Sequence, residues 1–257
     1  VVVGFHLVAL IPLGVLVIAT NALARVDFDQ IVVFVVLGAV GWLSYLAFYG
    51  ALAIGPISVL SPIVSGYAAV TVLCAVVVVG ERLSLGQTVA VLITILGAMI
   101  SSANVRDIAS ATIDRRSLYG FALALIAMVL LGGFVFGVSY YHAQIGWLGP
   151  IFLARGFAAI FLVAHLAYRG GLRSVPRLPR TLLGSIILLA ALDTGGYVCF
   201  NLGVNHAPTA VVATASAPYA LVPVLMGVSI LRERPTPTQW LGVTLVIGGL
   251  ITLGLTS

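Results

Sequence analysis

The chain has 257 residues, of which 61% are hydrophobic and 7% charged, with a mean hydropathy of +1.22. A water-soluble domain carries roughly a quarter charged residues, so a fold with an aqueous surface on all sides is excluded. All twelve basic residues are Arg, standing singly or in small groups between long apolar runs. The formal charge of +5 thus follows the pattern of membrane loops, not of a nucleic-acid-binding face.

A helix crosses the hydrocarbon with about 20 residues. On that measure the apolar runs predict nine spans: 1–23, 31–54, 57–79, 85–102, 118–140, 148–168, 182–204, 209–231 and 237–255. No charge lies between Asp29 and Glu81, so this stretch must hold two spans and a turn. Gly55-Pro56 supplies the turn, because Gly suits a helix end and Pro a helix start. Membrane β-strands alternate and run only about ten residues, which these runs exceed. The polar stretches Ala103–Arg116 and Arg169–Arg180 read as connecting loops. The chain opens at Val1 inside an apolar run, with no basic segment or cleavage site of a signal peptide. Cys74 and Cys199 sit in apolar runs and read as buried small hydrophobes without a disulfide framework.

A constant shift aligns the chain with itself without a gap. Gly4-Phe5 falls on Gly156-Phe157, Arg25 on Arg177, Tyr45 on Tyr197 and Phe48 on Phe200. Pro56 then meets Pro208, Tyr67-Ala68 meets Tyr219-Ala220, Glu81-Arg82 meets Glu233-Arg234, Gln87 meets Gln239 and Gly97 meets Gly249. Shared Val and Leu prove little in apolar helices; the charged pair, the Gln, the tyrosines and the proline prove more. The span at 118–140 has no partner, so one further helix is expected before residue 1. Residues 1–105 form a first repeat of four helices and residues 117–257 a second of five. Five helices per half place the second half in the membrane upside down, an inverted-topology repeat typical of secondary transporters. The fold class expected is all-α, a polytopic membrane helix bundle.

Gly80-Glu81-Arg82-Leu83-Ser84 is followed by a Gly-dotted helix, and the second copy reads Arg232-Glu233-Arg234-Pro235-Thr236, with Gln239-Trp240-Leu241-Gly242 opening the last span. With Phe48–Leu60 and Phe200–Val212, these segments make each half similar to the EamA module of the drug/metabolite transporter superfamily. The resemblance implies secondary transport of a small organic solute, an amino acid or related metabolite, often outward. Smaller relatives expel cationic drugs, so the alternative is proton-coupled efflux of lipophilic cations. One departure is Val3, which stands where the second half has Arg155.

Asp193 is the only acid deep inside a span. A charge at the bilayer centre costs at least about 2.5–3.5 kcal/mol on insertion scales, so it should face a cavity or a partner. Tyr197 and Asn201 follow at helical spacing on the same face. The equivalent helix of the first half carries Tyr45 and Tyr49, with Trp42 adjacent to the position matching Asp193. The expected substrate site comprises Asp193, Tyr197, Asn201, Trp42, Tyr45 and Tyr49, with Asp193 taking a cation or a proton and the aromatics stacking on the solute. Arg155, near the start of its span, is expected to snorkel to the headgroups, or else to meet an anionic substrate. The Glu-Arg pairs at 81–82 and 233–234 read as interfacial anchors, or else as a latch between halves. Pro62, Pro208, Pro218 and Pro223 mark two equivalent helices able to bend as gates.

His6, His142, His165 and His206 are dispersed and form no metal-ligand motif, and no Gly-rich phosphate loop is present. No metal, cofactor or enzymatic activity is expected. The partners are a small-molecule substrate, the lipid bilayer and a possible coupling proton, with no nucleic acid. Arg106, Arg115, Arg116, Arg169, Arg173, Arg177, Arg180, Arg232 and Arg234 share one side, against Arg25, Arg82 and Arg155 on the other. The positive-inside rule puts the Arg-rich loops in the cytoplasm and the C-terminus outside.

Overall fold

The computed structural model describes residues 2–54, 57–102, 115–170, 180–222, 225 and 236–256, and among these all regular structure is helical. Helices α1 (Val2–Thr20) and α2 (Phe28–Ile54) lead to a segmented span of α3 (Ile57–Ser65), α4 (Tyr67–Cys74) and a π-helical turn at Ala75–Val79. Next come α5 (Leu85–Ser102), α6 (Arg115–Tyr140), the short α7 (His142–Ile145), α8 (Leu148–Tyr168) and α9 (Arg180–Val204). Then α10 (Thr209–Ser216) passes into a 3-10 turn (Ala217–Leu221), and α11 (Pro237–Thr256) follows. Among the described residues seven helices are long and apolar enough to cross a membrane, and α5 is a shorter apolar helix. The chain is therefore a multi-pass membrane protein. The turn expected at Gly55-Pro56 lies outside the described residues, as do Arg106, Arg173, Arg177, Arg232, Glu233, Arg234, Pro223 and Pro235.

The span expected at 57–79 is not one helix. It breaks at Gly66, one turn after Pro62, which removes an amide donor from α3. The span expected from 209 changes character at the equivalent place. There α10 ends at Ser216, and Pro218 opens the 3-10 turn. Gly66 and Pro218 occupy matching positions of the duplication, so both copies lose α-helical geometry in mid-span. Cys199 is exposed and not buried as expected, and Cys74 is half-buried. Lipid-facing positions accept a thiol as readily as an apolar core does.

The glutamines matched by the duplication have a structural reason. Gln87 Oε1 accepts the Ser84 N–H at 2.9 Å, and Ser84 Oγ accepts the Gln87 N–H at 3.2 Å. In the second copy Gln239 Oε1 accepts the Thr236 N–H at 2.9 Å, and Thr236 Oγ1 accepts the Gln239 N–H at 3.3 Å. Both are capping boxes, which satisfy first-turn amides that have no partner inside the helix.

The described chain divides into two compact units. One comprises Val1–Leu43 and Gly137–His206. In it α1 packs on α8 and α9 through Phe5, Ala9, Leu13 and Val17, four buried residues at four-residue spacing. Inside lipid such a stripe gains close packing rather than dehydration. The first part of α2 lies against α8 so closely that a Cβ at Gly38 would come within 2.9 Å of the Ala158 nitrogen.

The other unit comprises Ser44–Phe136 and Ala207–Ser257. Its tightest contact joins α5 to α11, which run antiparallel: Ser101 meets Gly242 at one end, and Gly86 meets Thr256 at the other. A Cβ at Gly97 would stand 2.7 Å from the Val246 nitrogen, and one at Gly249 would stand 2.9 Å from the Thr94 nitrogen. These two glycines are equivalents in the duplication, and small residues let helix backbones touch. A second antiparallel pair sets α4 on α10, with the matched Tyr67 and Tyr219 rings 5.6 Å apart. Ala47, Ala51, Leu60, Val64, Ala124 and Ala127 form a further core between α2, α3 and α6.

Candidate functional site

The buried face of α8 runs Leu148, Ile151, Ala154, Arg155, Ala158, Ala159 and Leu162. Arg155 is in phase with this stripe and lies seven residues past Leu148, about 10 Å along the axis at 1.5 Å per residue. Its side chain is 4% exposed. The expectation that Arg155 reaches the headgroups is thereby corrected. Small alanines on both sides leave room for the guanidinium to turn inward, and a partner waits on α9.

That partner is Asp193, whose Oδ2 accepts a hydrogen bond from Arg155 Nη2 in a salt bridge. Arg155 Nη1 donates to Thr194 Oγ1 at 3.2 Å, and the guanidinium carbon lies 4.3 Å from the centroid of the Tyr197 ring. One turn on, Asn201 Nδ2 donates to the Tyr197 carbonyl at 2.9 Å. Asn201 is 1% exposed, and its Oδ1 is buried with no hydrogen-bond partner among the described residues. The carboxylate of Asp193 neutralises the arginine, and the π face of Tyr197 adds a cation–π contact, in a low-dielectric setting where each is worth more than in water. Asp193 is the open member of the pair, its side chain 27% exposed.

The sequence-predicted residues fall into three groups. Asp193, Tyr197 and Asn201 share one face of α9, where the first two meet Arg155 and Asn201 follows one turn on. Trp42 packs on α8 further along, 5.8 Å from the rings of Phe161 and His165, with its indole nitrogen buried and unpaired. Tyr45 and Tyr49 belong to the other unit, where their rings stack on each other 6.5 Å apart. Arg155 and Thr194 were not among the predicted site residues. The phase of Arg155 with Ile151, Ala158 and Leu162 was the available signal.

Elsewhere in the same unit His142 and Asn205 share a short hydrogen bond, with the histidine Nδ1 buried and unpaired. A cavity of about 510 Å³ opens at the N-terminal end of α8, lined by residues that include Arg25, Trp147 and Leu148. Among the described residues no group of three metal-ligating side chains occurs.

A comparison with curated proteins finds no match. A solved crystal structure shares the fold at a TM-score of 0.65 and 15% identity, over 98% of this chain and 95% of that one. The profile of the EamA-like transporter family matches residues 118–255. That match takes in α6 to α11, the ion pair included, and on it the chain belongs to the EamA-like transporter family.

Proposed function

We propose that this transporter carries a small zwitterionic solute, an amino acid or related metabolite, outward by alternating access. The Arg155–Asp193 pair would be its central recognition element. The two repeats, 1–105 and 117–257, would be its inverted halves. Antiparallel packing of α5 on α11 through matched glycines supports that relationship. The pair itself carries the substrate reading. A zwitterion brings an ammonium for Asp193 and a carboxylate for Arg155, so the buried charges exchange partners without any of them being left alone. A lipophilic cation would pull Asp193 away and leave a guanidinium uncompensated at 4% exposure. Removing one member of a buried pair costs about 3–5 kcal/mol, which disfavours the efflux alternative unless a proton or counter-ion takes part. Tyr197 and Asn201 would line the same site, and Trp42, Tyr45 and Tyr49 are proposed to contact the solute in the transport cycle.

The test is counterflow in proteoliposomes with the full chain and its Asp193→Asn and Arg155→Gln variants. Labelled amino acids and lipophilic cations form the panel, at two pH values. Accumulation of one amino-acid class, reduced at least tenfold in both variants, is the expected result. Uptake of the cations, lost in Asp193→Asn alone, would establish the alternative. If the wild-type chain moves no amino acid, the zwitterion reading falls.

A further inference from the structure

Helix α10 begins directly after Pro208, whose backbone is extended and which offers no side-chain cap. Its first amides need acceptors from elsewhere. They find them 128 residues away in sequence: Glu81 Oε1 accepts the Thr209 N–H at 2.8 Å, and Glu81 Oε2 accepts the Ala210 N–H at 3.0 Å. Both carboxylate oxygens are thus spent on one helix N-terminus, where charge-assisted bonds and the helix dipole act together. Glu81 is thus held by two backbone amides of a distant segment.

The approach of Glu81 is built into the end of its own helix. The π turn Ala75–Val79 rewinds the last turn, Gly80 takes a left-handed φ of 76°, and the Glu81 N–H closes back on the Ala75 carbonyl at 3.2 Å. A residue with a Cβ is strained at that φ. The two helices joined by this contact are also the two that break in mid-span, at Gly66 and at Ser216–Pro218. Each therefore has a rigid piece bounded by a break at one end and the carboxylate contact at the other. Tyr67 and Tyr219 touch beside the breaks, so the pieces can part at the Glu81 end while staying joined at the ring pair.

We propose that Glu81 is a releasable clasp: its carboxylate holds the start of α10 against the end of the α4 segment, and its release opens that end of the helix pair during transport. The inference rests on the chain being a transporter and is independent of which solute it carries.

Hydrogen exchange on the full chain in lipid nanodiscs tests the clasp without any substrate. The peptide containing Thr209 and Ala210 is followed in the wild type, Glu81→Gln, Glu81→Asp and Thr209→Ala. Loss of a charge-assisted bond predicts about tenfold faster exchange in Glu81→Gln and a smaller increase in Glu81→Asp. Thr209→Ala should match the wild type, since only its backbone is held. In a Cys74→Ser/Cys199→Ser background carrying Ala213→Cys, the thiol at position 213 should react several-fold faster with a membrane-impermeant maleimide once Glu81→Gln is added. Position 213 is buried in the wild type. Unchanged exchange in Glu81→Gln overturns the clasp. Faster exchange with unchanged labelling makes Glu81 a fixed helix cap and overturns its release as a gate. Should Glu81→Gln not fold, Glu81→Asp gives the same two readouts.

Discussion

A single arginine decides how the candidate site is read. Arg155 without Asp193 is a buried charge in a stripe of alanines; with it, the two form a neutral unit that Tyr197 and Thr194 orient. Asp193→Ala should therefore cost roughly 3–5 kcal/mol, seen as a lower midpoint of thermal unfolding in detergent. The double variant Arg155→Met/Asp193→Leu should recover most of that loss, since an apolar pair fills the space without charge. It should still fail to transport. Recovery of transport with stability would reduce the pair to architecture. Asp193, Tyr197 and Asn201 were legible in the sequence because an acid deep in an apolar run needs a reason, and helical spacing supplies its neighbours. The direction of Arg155 was not. Near the start of a span both headgroups and interior lie within reach of a long side chain, and the carboxylate that settles the choice is 38 residues downstream. Nor does spacing along α2 reveal that Tyr45 and Tyr49 stack on one another while Trp42 packs with Phe161 and His165.

Among the elements, the α5–α11 pair is held by backbone proximity rather than by large side chains. Gly242→Val and Gly249→Ala place new atoms against the backbone or side chain of Ser101 and Thr94. Each should destabilise the protein by about 1–3 kcal/mol through overpacking. Gly248→Ala, one residue away and with nothing within 4 Å of its added carbon, should be neutral. Thermal unfolding of the three side by side checks the contrast; since Ala favours a helix over Gly, a loss in Gly249→Ala reports the contact, and an equal loss in Gly248→Ala would overturn this account. The apolar runs disclosed these elements well, since the length of a span is dictated by the bilayer. Gln87 and Gln239 came through as an identity between the two copies, although the cap each forms with Ser84 or Thr236 appears only in the hydrogen bonds. The mid-span breaks were less legible. Pro62 and Pro218 announced a bend, but where the helix loses its geometry depends on packing around Gly66 and the Tyr67–Tyr219 contact.

For the whole molecule, the correction of Arg155 sharpens the charge balance. Once that residue is removed from the loops, the sparsely charged side keeps only Arg25 and Arg82 against nine arginines on the other. The positive-inside rule then expects a C-terminal alkaline phosphatase fusion to be active and a C-terminal fluorescent-protein fusion to be dark. The reverse pattern would invert the assignment. The duplication runs through both compact units, since each takes helices from both halves of the sequence. The buried ion pair also constrains the order in which the protein is made. Helix α8 leaves the ribosome first, carrying a guanidinium that lipid penalises, and its counter-charge is synthesised only with α9. The two segments are therefore expected to enter the bilayer together as a hairpin. A pair proposed to recognise solute in the finished protein would thus act beforehand as a checkpoint in its biogenesis.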